Sequence, residues 1–334
     1  MMALLDIRHL TTQIPTPRGT LTVVDDVSFT VDAGECFGLV GESGSGKSMT
    51  IKSILGLIPP PGRVTGGAVL HDGQDLTLLS PRAMNAIRGR GIATIVQDAS
   101  SALNPVLRIG KQIAESMLEH GIVRTRAEAR ARVIDLMAKV GIPAPETRID
   151  DYPHQFSGGM CQRVVIAAAL SCNPGLILAD EPTTALDVTI QDQILKLLVA
   201  LQHDLGLGLV LVTHDLGVVA QTCQRVAVMY AGQIVEMVGT ADLFRQPRHP
   251  YTMGLLNCVP RLDGPADKRL TPIPGAPPDL AHPPSGCRFH PRCPLAADAC
   301  RSGKPTLTEV SPGHLSRCIR QDALTADLWE TAVA

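Results

Sequence analysis

Three sets of residues in this 334-residue sequence have the types and spacing to do chemistry. The first is Gly41-Glu42-Ser43-Gly44-Ser45-Gly46-Lys47-Ser48, followed by Met49, which fits the pattern G-x-x-x-x-G-K-[ST]. Glycines so placed let the backbone curl until successive N–H groups point at phosphate oxygens. Lys47 is then expected to reach the β- and γ-phosphates, and the Ser48 hydroxyl to ligate Mg²⁺. The second set is Asp180-Glu181, which closes the apolar run Leu176 to Ala179. Acids at the C-terminal end of a parallel strand lie where such sheets bind ligands. Asp180 is expected to hold Mg²⁺ through water, and Glu181 to orient and polarise an attacking water. A Gly/Ser turn and a solvated acid pair are the plain alternatives, and the strand before and helix after the glycines weigh against them.

The third set is Cys287, Cys293, Cys300 and Cys318, spaced C-x5-C-x6-C-x17-C. Four thiols in a short proline-rich segment point to a metal staple, because such a segment buries little core of its own. Zinc sites favour close C-x2–4-C pairs, which are absent here. The wide spacing, the Cys293-Pro294 step and the neighbours Arg288, Arg292 and Arg301 fit an anionic iron–sulfur centre better. Zinc and unligated thiols stay open as alternatives, and His290 is a competing ligand or only a neighbour. Cys36, Cys161, Cys172, Cys223 and Cys258 are scattered singly and read as small buried hydrophobes.

The elements that must position these residues alternate between strand and helix. Strand-like runs are 35–40, 92–96, 176–179 and 207–213. Helical spacing follows Lys47 over 48–58, and Ile190, Ile194, Leu197, Leu198 and Leu201 mark one face of a helix over 188–205. Buried strands punctuated by helices predict an α/β fold with a largely parallel sheet. Residues 107–139 carry two helical patterns with no strand between them, a helical insertion placed at about 98–172. Composition shifts near residue 245: of 26 prolines, 12 lie between Pro247 and Pro294. That stretch is expected to be extended and loop-rich, giving a main domain over 1–247 and a small Pro/Cys-rich C-terminal module over 248–334.

A formal charge of -2 and 3% aromatic residues argue against an electrostatic grip on nucleic acid or base-stacking platforms. The longest apolar stretch, 164–178, is interrupted by Ser171, Asn173 and Pro174 and is short of a membrane span. The start, MMALLDIRHL, lacks the apolar region of a secretory signal, so the nine cysteines are expected to be reduced or ligated.

Phe156-Ser157-Gly158-Gly159-Met160, followed by Gln162-Arg163, narrows the field. The chain resembles the nucleotide-binding subunits of ABC transporters, whose signature is Leu-Ser-Gly-Gly-Gln. Ser157, Gly158 and Gly159 open a helix and make a second anion site. The resemblance continues in order over about residues 4–245. Gln97 matches the glutamine that contacts Mg²⁺ and the attacking water, Ala185-Leu186-Asp187 the loop after the catalytic glutamate, and His214 the histidine that contacts the γ-phosphate. It implies a P-loop NTPase core, ATP and Mg²⁺ as ligands, and catalysis by Glu181, His214 and Gln97. In this family the phosphate loop of one subunit faces the signature of another, so a sister or identical ATP-binding subunit is implied. Phe156 and Met160 depart from the usual signature, and Ile14 stands where an aromatic usually stacks on adenine.

Gln97-Asp98, Ser101-Ala-Leu-Asn-Pro105, Tyr152-Pro-His-Gln-Phe-Ser-Gly-Gly-Met160 and Arg248-His-Pro-Tyr-Thr252 are similar to the oligopeptide/dipeptide importer subgroup, with Ala99 in place of the usual proline. This implies ATP-driven uptake of peptides or a similar small solute through two membrane permease subunits, fed by an external solute-binding protein. The chain would sit peripherally on the cytoplasmic face of the inner membrane. It also implies a [4Fe-4S] cluster at the four cysteines, as in some members. The alternative is a non-transport ABC ATPase working on nucleic acid or ribosomes, whose usual double cassette or long coiled-coil insertion is missing here. Because the nucleotide motifs lie upstream of the tail, ATP binding is expected to persist when the tail is damaged.

Overall fold

The computed structural model describes residues 3–184, 186–259 and 272–324. Ala185, matched above to the loop after the glutamate, and part of the proline-rich stretch lie outside the described residues. The chain divides into two compact units interleaved in sequence. One holds Met1–Leu5, Val31–Cys36 and His71–Val212, the other Asp6–Thr30, Phe37–Leu70 and Thr213–Ala334.

In the first unit, strand Leu176–Asp180 lies between Ile92–Ile95 and Gly208–Thr213, parallel to both. These are the continuous apolar runs read from the sequence. Gly208–Thr213 is buried at every position, as a strand covered on both faces must be. Helix Val188–Leu205 has the expected bounds. Asp187 accepts from the Ile190 N–H at its start, Gly206 ends it in the left-handed conformation, and Ile194, Leu198 and Leu201 are buried.

The helical insertion is present as Ile109–Glu119, Arg126–Lys139 and Gly158–Leu170, packed on one another with shorter helical turns between. Thr125 caps the second of these by accepting from the Glu128 N–H, while Glu128 accepts from the Arg124 N–H. Gly110 is needed for close packing, since a Cβ there would lie 2.3 Å from Ile149.

The second unit contains more sheet than the apolar runs indicated. Leu5–Thr16 lies between Gly19–Val31 and Arg63–His71 in one sheet. In another, Cys36–Val40 is parallel to Arg225–Tyr230, which is antiparallel to Gln233–Gly239. The tail adds to this second sheet: His314–Ser316 pairs with Gln233–Gly239 and with Thr308–Ser311. The stretch 247–294 is loop-rich where described, but it also holds helix Pro250–Asn257. There Pro250 occupies the first turn, where its missing N–H costs nothing. Helix Lys47–Ile54 is shorter than its spacing indicated, because Leu55 caps it and Gly56 turns left-handed ahead of Pro59, Pro60 and Pro61.

Candidate phosphate loop, carboxylate cluster and cysteine cavity

In the second unit, the buried strand Cys36–Val40 runs into the glycine loop, which feeds helix Lys47–Ile54. Gly41 has φ +154°, and a Cβ on it would lie 2.1 Å from the Met229 carbonyl oxygen. At Gly46, with φ +108°, a Cβ would lie 2.5 Å from the Val23 oxygen. Neither position accepts a side chain. Gly44, at φ +77°, has nothing within 4 Å and is exposed together with Ser43. Lys47 is buried, and its ammonium donates to the carbonyls of Gly41 at 2.7 Å and Glu42 at 3.0 Å. The Ser45 hydroxyl is buried with no hydrogen-bond partner among the described residues. Ser48 and Met49 are half-buried in the first turn of the helix. The loop thus offers backbone N–H groups, one ammonium and a spare hydroxyl, a donor set that suits an anion.

In the first unit, Asp180 ends its strand and Glu181 follows in the left-handed region at φ 46°. Such a backbone costs on the order of 1–3 kcal/mol and persists only where its surroundings fix it. Here the Glu181 N–H donates to the Val212 oxygen at 2.9 Å. Its Oε2 accepts from Gln97 Nε2 at 3.2 Å and from Thr184 Oγ1 at 2.8 Å. The structure therefore brings together two residues named from sequence, Gln97 and Glu181, and adds Thr184, whose signal was its place three residues after the glutamate. Gln97 itself is exposed.

Also in the first unit, Ser157 caps helix Gly158–Leu170 by accepting from the Met160 N–H at 3.4 Å. Ser157 and Gly158 are exposed, and a Cβ on Gly159 would lie 2.6 Å from Ile190. The helix N-terminus is open to an anion, while its second glycine, Gly159, is fixed by packing on Val188–Leu205. His214 belongs to the second unit, exposed between strand Gly208–Thr213 and Asp215, which caps helix Leu216–Thr222. Ile14 lies half-buried in strand Leu5–Thr16.

Cys287, Cys293, Cys300 and Cys318 line one cavity, walled also by His249 and Phe289. Burial pushes the Cys293 thiol up to about 12 and the Cys318 thiol up to about 11. Backbone N–H groups oppose this by favouring the thiolates: those of Phe289 and His290 toward Cys287, of Leu295 toward Cys293, and of Arg320 toward Cys318. His290 turns its Nδ1 to the Cys287 carbonyl at 2.9 Å, a neighbour's contact. Among the described residues no group of three His, Cys, Asp or Glu gathers tightly enough to hold a metal ion. The four thiols expected from the sequence to hold a metal centre line this one cavity. The scattered cysteines are buried except Cys258, which is half-buried.

A family model described as "ABC transporter" matches residues 24–184, and one described as "Oligopeptide/dipeptide transporter, C-terminal region" matches 235–300. A dipeptide transport ATP-binding protein of Bacillus subtilis is 50% identical over 323 residues, 96% of this chain and 96% of the relative. An oligopeptide transport ATP-binding protein of Salmonella typhimurium is 46% identical over 317 residues, covering 95% of this chain and 93% of the relative. Among solved structures, a dimeric ATP-binding cassette in a post-hydrolysis state with ADP and Pi matches with TM-score 0.64. It is 27% identical, and the match spans 71% of this chain and 98% of that one. Among the described residues no helix is long and apolar enough to cross a membrane.

Proposed function

The chain belongs to the ATP-binding subunits of ABC transporters, in the oligopeptide/dipeptide branch, and from that premise we propose how its residues energise peptide import through separate membrane permeases. It is an ATPase coupled to transport. The observation that carries the reading is the phosphate loop: two glycines that admit no Cβ, a buried lysine and an orphaned buried hydroxyl.

Gly41, Ser43, Gly44, Ser45, Gly46, Lys47, Ser48 and Met49 are assigned to the ATP phosphates. Lys47 leaves its loop carbonyls for the phosphate oxygens when ATP arrives. Ser48, Gln97 and Asp180 supply a hydroxyl, an amide and a carboxylate, hard oxygen donors of the kind Mg²⁺ takes. Bound there, Mg²⁺ would neutralise charge on the β- and γ-phosphates. Glu181 holds the attacking water through the carboxylate that Gln97 and Thr184 orient, and accepts its proton. His214 contacts the γ-phosphate. Ser157, Gly158 and Gly159 serve the ATP of a partner ATP-binding subunit, so each site needs two chains.

The assembly comprises two permease subunits and two ATP-binding subunits, identical or sister, with an external solute-binding protein delivering peptide. The chain works peripherally at the cytoplasmic face of the inner membrane, with 1–247 as the ATP-binding domain and 248–334 as the extension. Four sulfurs around one cavity, each of three met by backbone N–H groups, fit thiolate ligation of a [4Fe-4S] cluster. Zinc is the second reading, because its sites favour close C-x2–4-C pairs that this sequence lacks. A bound cluster would hold the tail together as a staple.

The test is peptide uptake by proteoliposomes containing permeases, both ATP-binding subunits and the binding protein. Uptake is expected to require ATP and to stop in Lys47→Ala. ATP-independent uptake, or hydrolysis that peptide-loaded binding protein leaves unchanged, would contradict the coupling.

A further inference from the structure

Glu42, the second residue of the phosphate loop, is its one carboxylate and so the one side chain there whose charge repels a phosphate. It does not stand free. Arg292, from the tail, holds it as a fork: Nη1 donates to Oε2 at 2.7 Å and Nη2 to Oε1 at 3.0 Å. The guanidinium is buried, its Nε donates to the Pro274 oxygen at 2.9 Å, and it lies 5.7 Å from the centre of the Tyr230 ring. The Glu42 backbone N–H is taken as well, donating to the Tyr251 hydroxyl at 2.9 Å. Tyr230, Tyr251 and Phe289 pack as one aromatic cluster, and Phe289 is also a wall of the cysteine cavity. Pro277, Pro278 and Leu280 of the tail share a small pocket with loop residues 42–45.

A fork of this kind, buried on the arginine side and half-buried on the carboxylate side, carries both charge and direction. The two parallel hydrogen bonds fix the carboxylate's plane, which a single ammonium contact would not. The pair turns a repulsive acid into a neutral, immobile strut under the opening turn of the loop, and a loop already in its binding conformation pays less ordering entropy on meeting a ligand.

We propose that Arg292 is a positioning residue of the nucleotide site, clamping Glu42 so that the tail is a working part of ATP binding. This rests on the reading that the loop binds ATP. It departs from the independence of core and tail that the order of motifs along the sequence indicates.

The test is calorimetric titration of the full chain with MgATP, in a double-mutant cycle. Arg292→Gln is expected to raise Kd about tenfold. Arg292→Lys, which keeps the charge without the fork, falls between. In a Glu42→Gln background, where no carboxylate is left to clamp, adding Arg292→Gln changes Kd by less than about twofold. General loosening of the tail would instead weaken binding equally in both backgrounds, and that result overturns the proposal. So does an unchanged Kd in Arg292→Gln alone. If Arg292→Gln fails to fold, Arg292→Lys carries the same cycle. Lys47→Ala is the control for the underlying reading. A parent chain that binds no MgATP, or a Lys47→Ala chain that binds it equally well, removes both readings. With those two behaving, the Arg292 result bears on the clamp alone.

Discussion

Gln97 and Glu181 meet at 3.2 Å although 84 residues separate them, the amide of one donating to the carboxylate of the other. Gln97 follows a strand into the helical insertion, and Glu181 follows the central strand of the same unit. Movement of the insertion would therefore bear on the group assigned to activate water. A permease that positions this insertion would gate hydrolysis at that hydrogen bond.

Thr184 shares the same oxygen of Glu181 at 2.8 Å. Thr184→Val keeps the shape and removes the donor. A hydrogen bond to a charged group contributes about 1.5–3 kcal/mol, so kcat in the assembled transporter is expected to fall by roughly tenfold or more with KM for ATP nearly unchanged. Steady-state kinetics of the reconstituted complex check this, and a raised KM at unchanged kcat would assign Thr184 to binding instead.

Two glycines of the phosphate loop separate crowding from backbone strain. Gly41→Ala places a Cβ 2.1 Å from a backbone oxygen, whereas Gly44→Ala meets nothing within 4 Å and strains only its φ of +77°. Gly41→Ala is expected to abolish the ATP-induced rise in melting temperature. Gly44→Ala costs on the order of 1 kcal/mol and keeps a reduced rise. Thermal shift with and without MgATP reads both, and the reverse order would contradict the loop geometry.

His249 gives the second unit a pH dependence. Burial, with the charge of Arg317 added, lowers its imidazole to about 3 from the ordinary 6.5. Its Nδ1 also accepts the Tyr251 N–H at 3.1 Å, a bond that protonation of that nitrogen breaks. A depressed folded pKa means the stability is present above 6.5 and is lost as pH falls from 6.5 toward 3. His249→Asn keeps a capping acceptor without the titration. Its melting temperature is expected to fall less steeply over that window than the parent's, and parallel curves would remove His249 from the account.

Chain purified without oxygen is expected to be brown, with about four irons per chain. Cys293→Ser is expected to lose most of that iron and to gain protease cleavage beyond about residue 250. Colourless protein with one zinc keeps the ligands and replaces the metal. Metal-free protein with an unaltered tail in Cys293→Ser removes the site.

The parallel strands and the helix Val188–Leu205 were legible because strands buried on both faces are continuous apolar runs and the helix carries a single face at period 3.6. The phosphate loop was legible because Gly41 and Gly46 stand where the backbone admits no side chain. The long strands Leu5–Thr16 and Gly19–Val31 were not, since their half-exposed alternation gives no apolar run. The tail's share in the sheet and the Arg292 clamp were illegible for a different reason. Both join residues far apart in sequence, Met237 to Leu315 and Glu42 to Arg292, and one chain without its fold shows no pairing.

Glu181 is assigned to activate the water that cleaves ATP, and Glu181→Gln in the reconstituted transporter is the decisive variant. The amide keeps the size and can still bond Gln97 or Thr184, but it cannot accept the proton. Loss of a general base slows a reaction by about 10²–10⁴-fold. Turnover is expected to fall by that order while MgATP stays bound and holds two ATP-binding subunits together, seen as a stable dimer on size exclusion. Turnover equal to the parent's, with or without the dimer, would contradict the account.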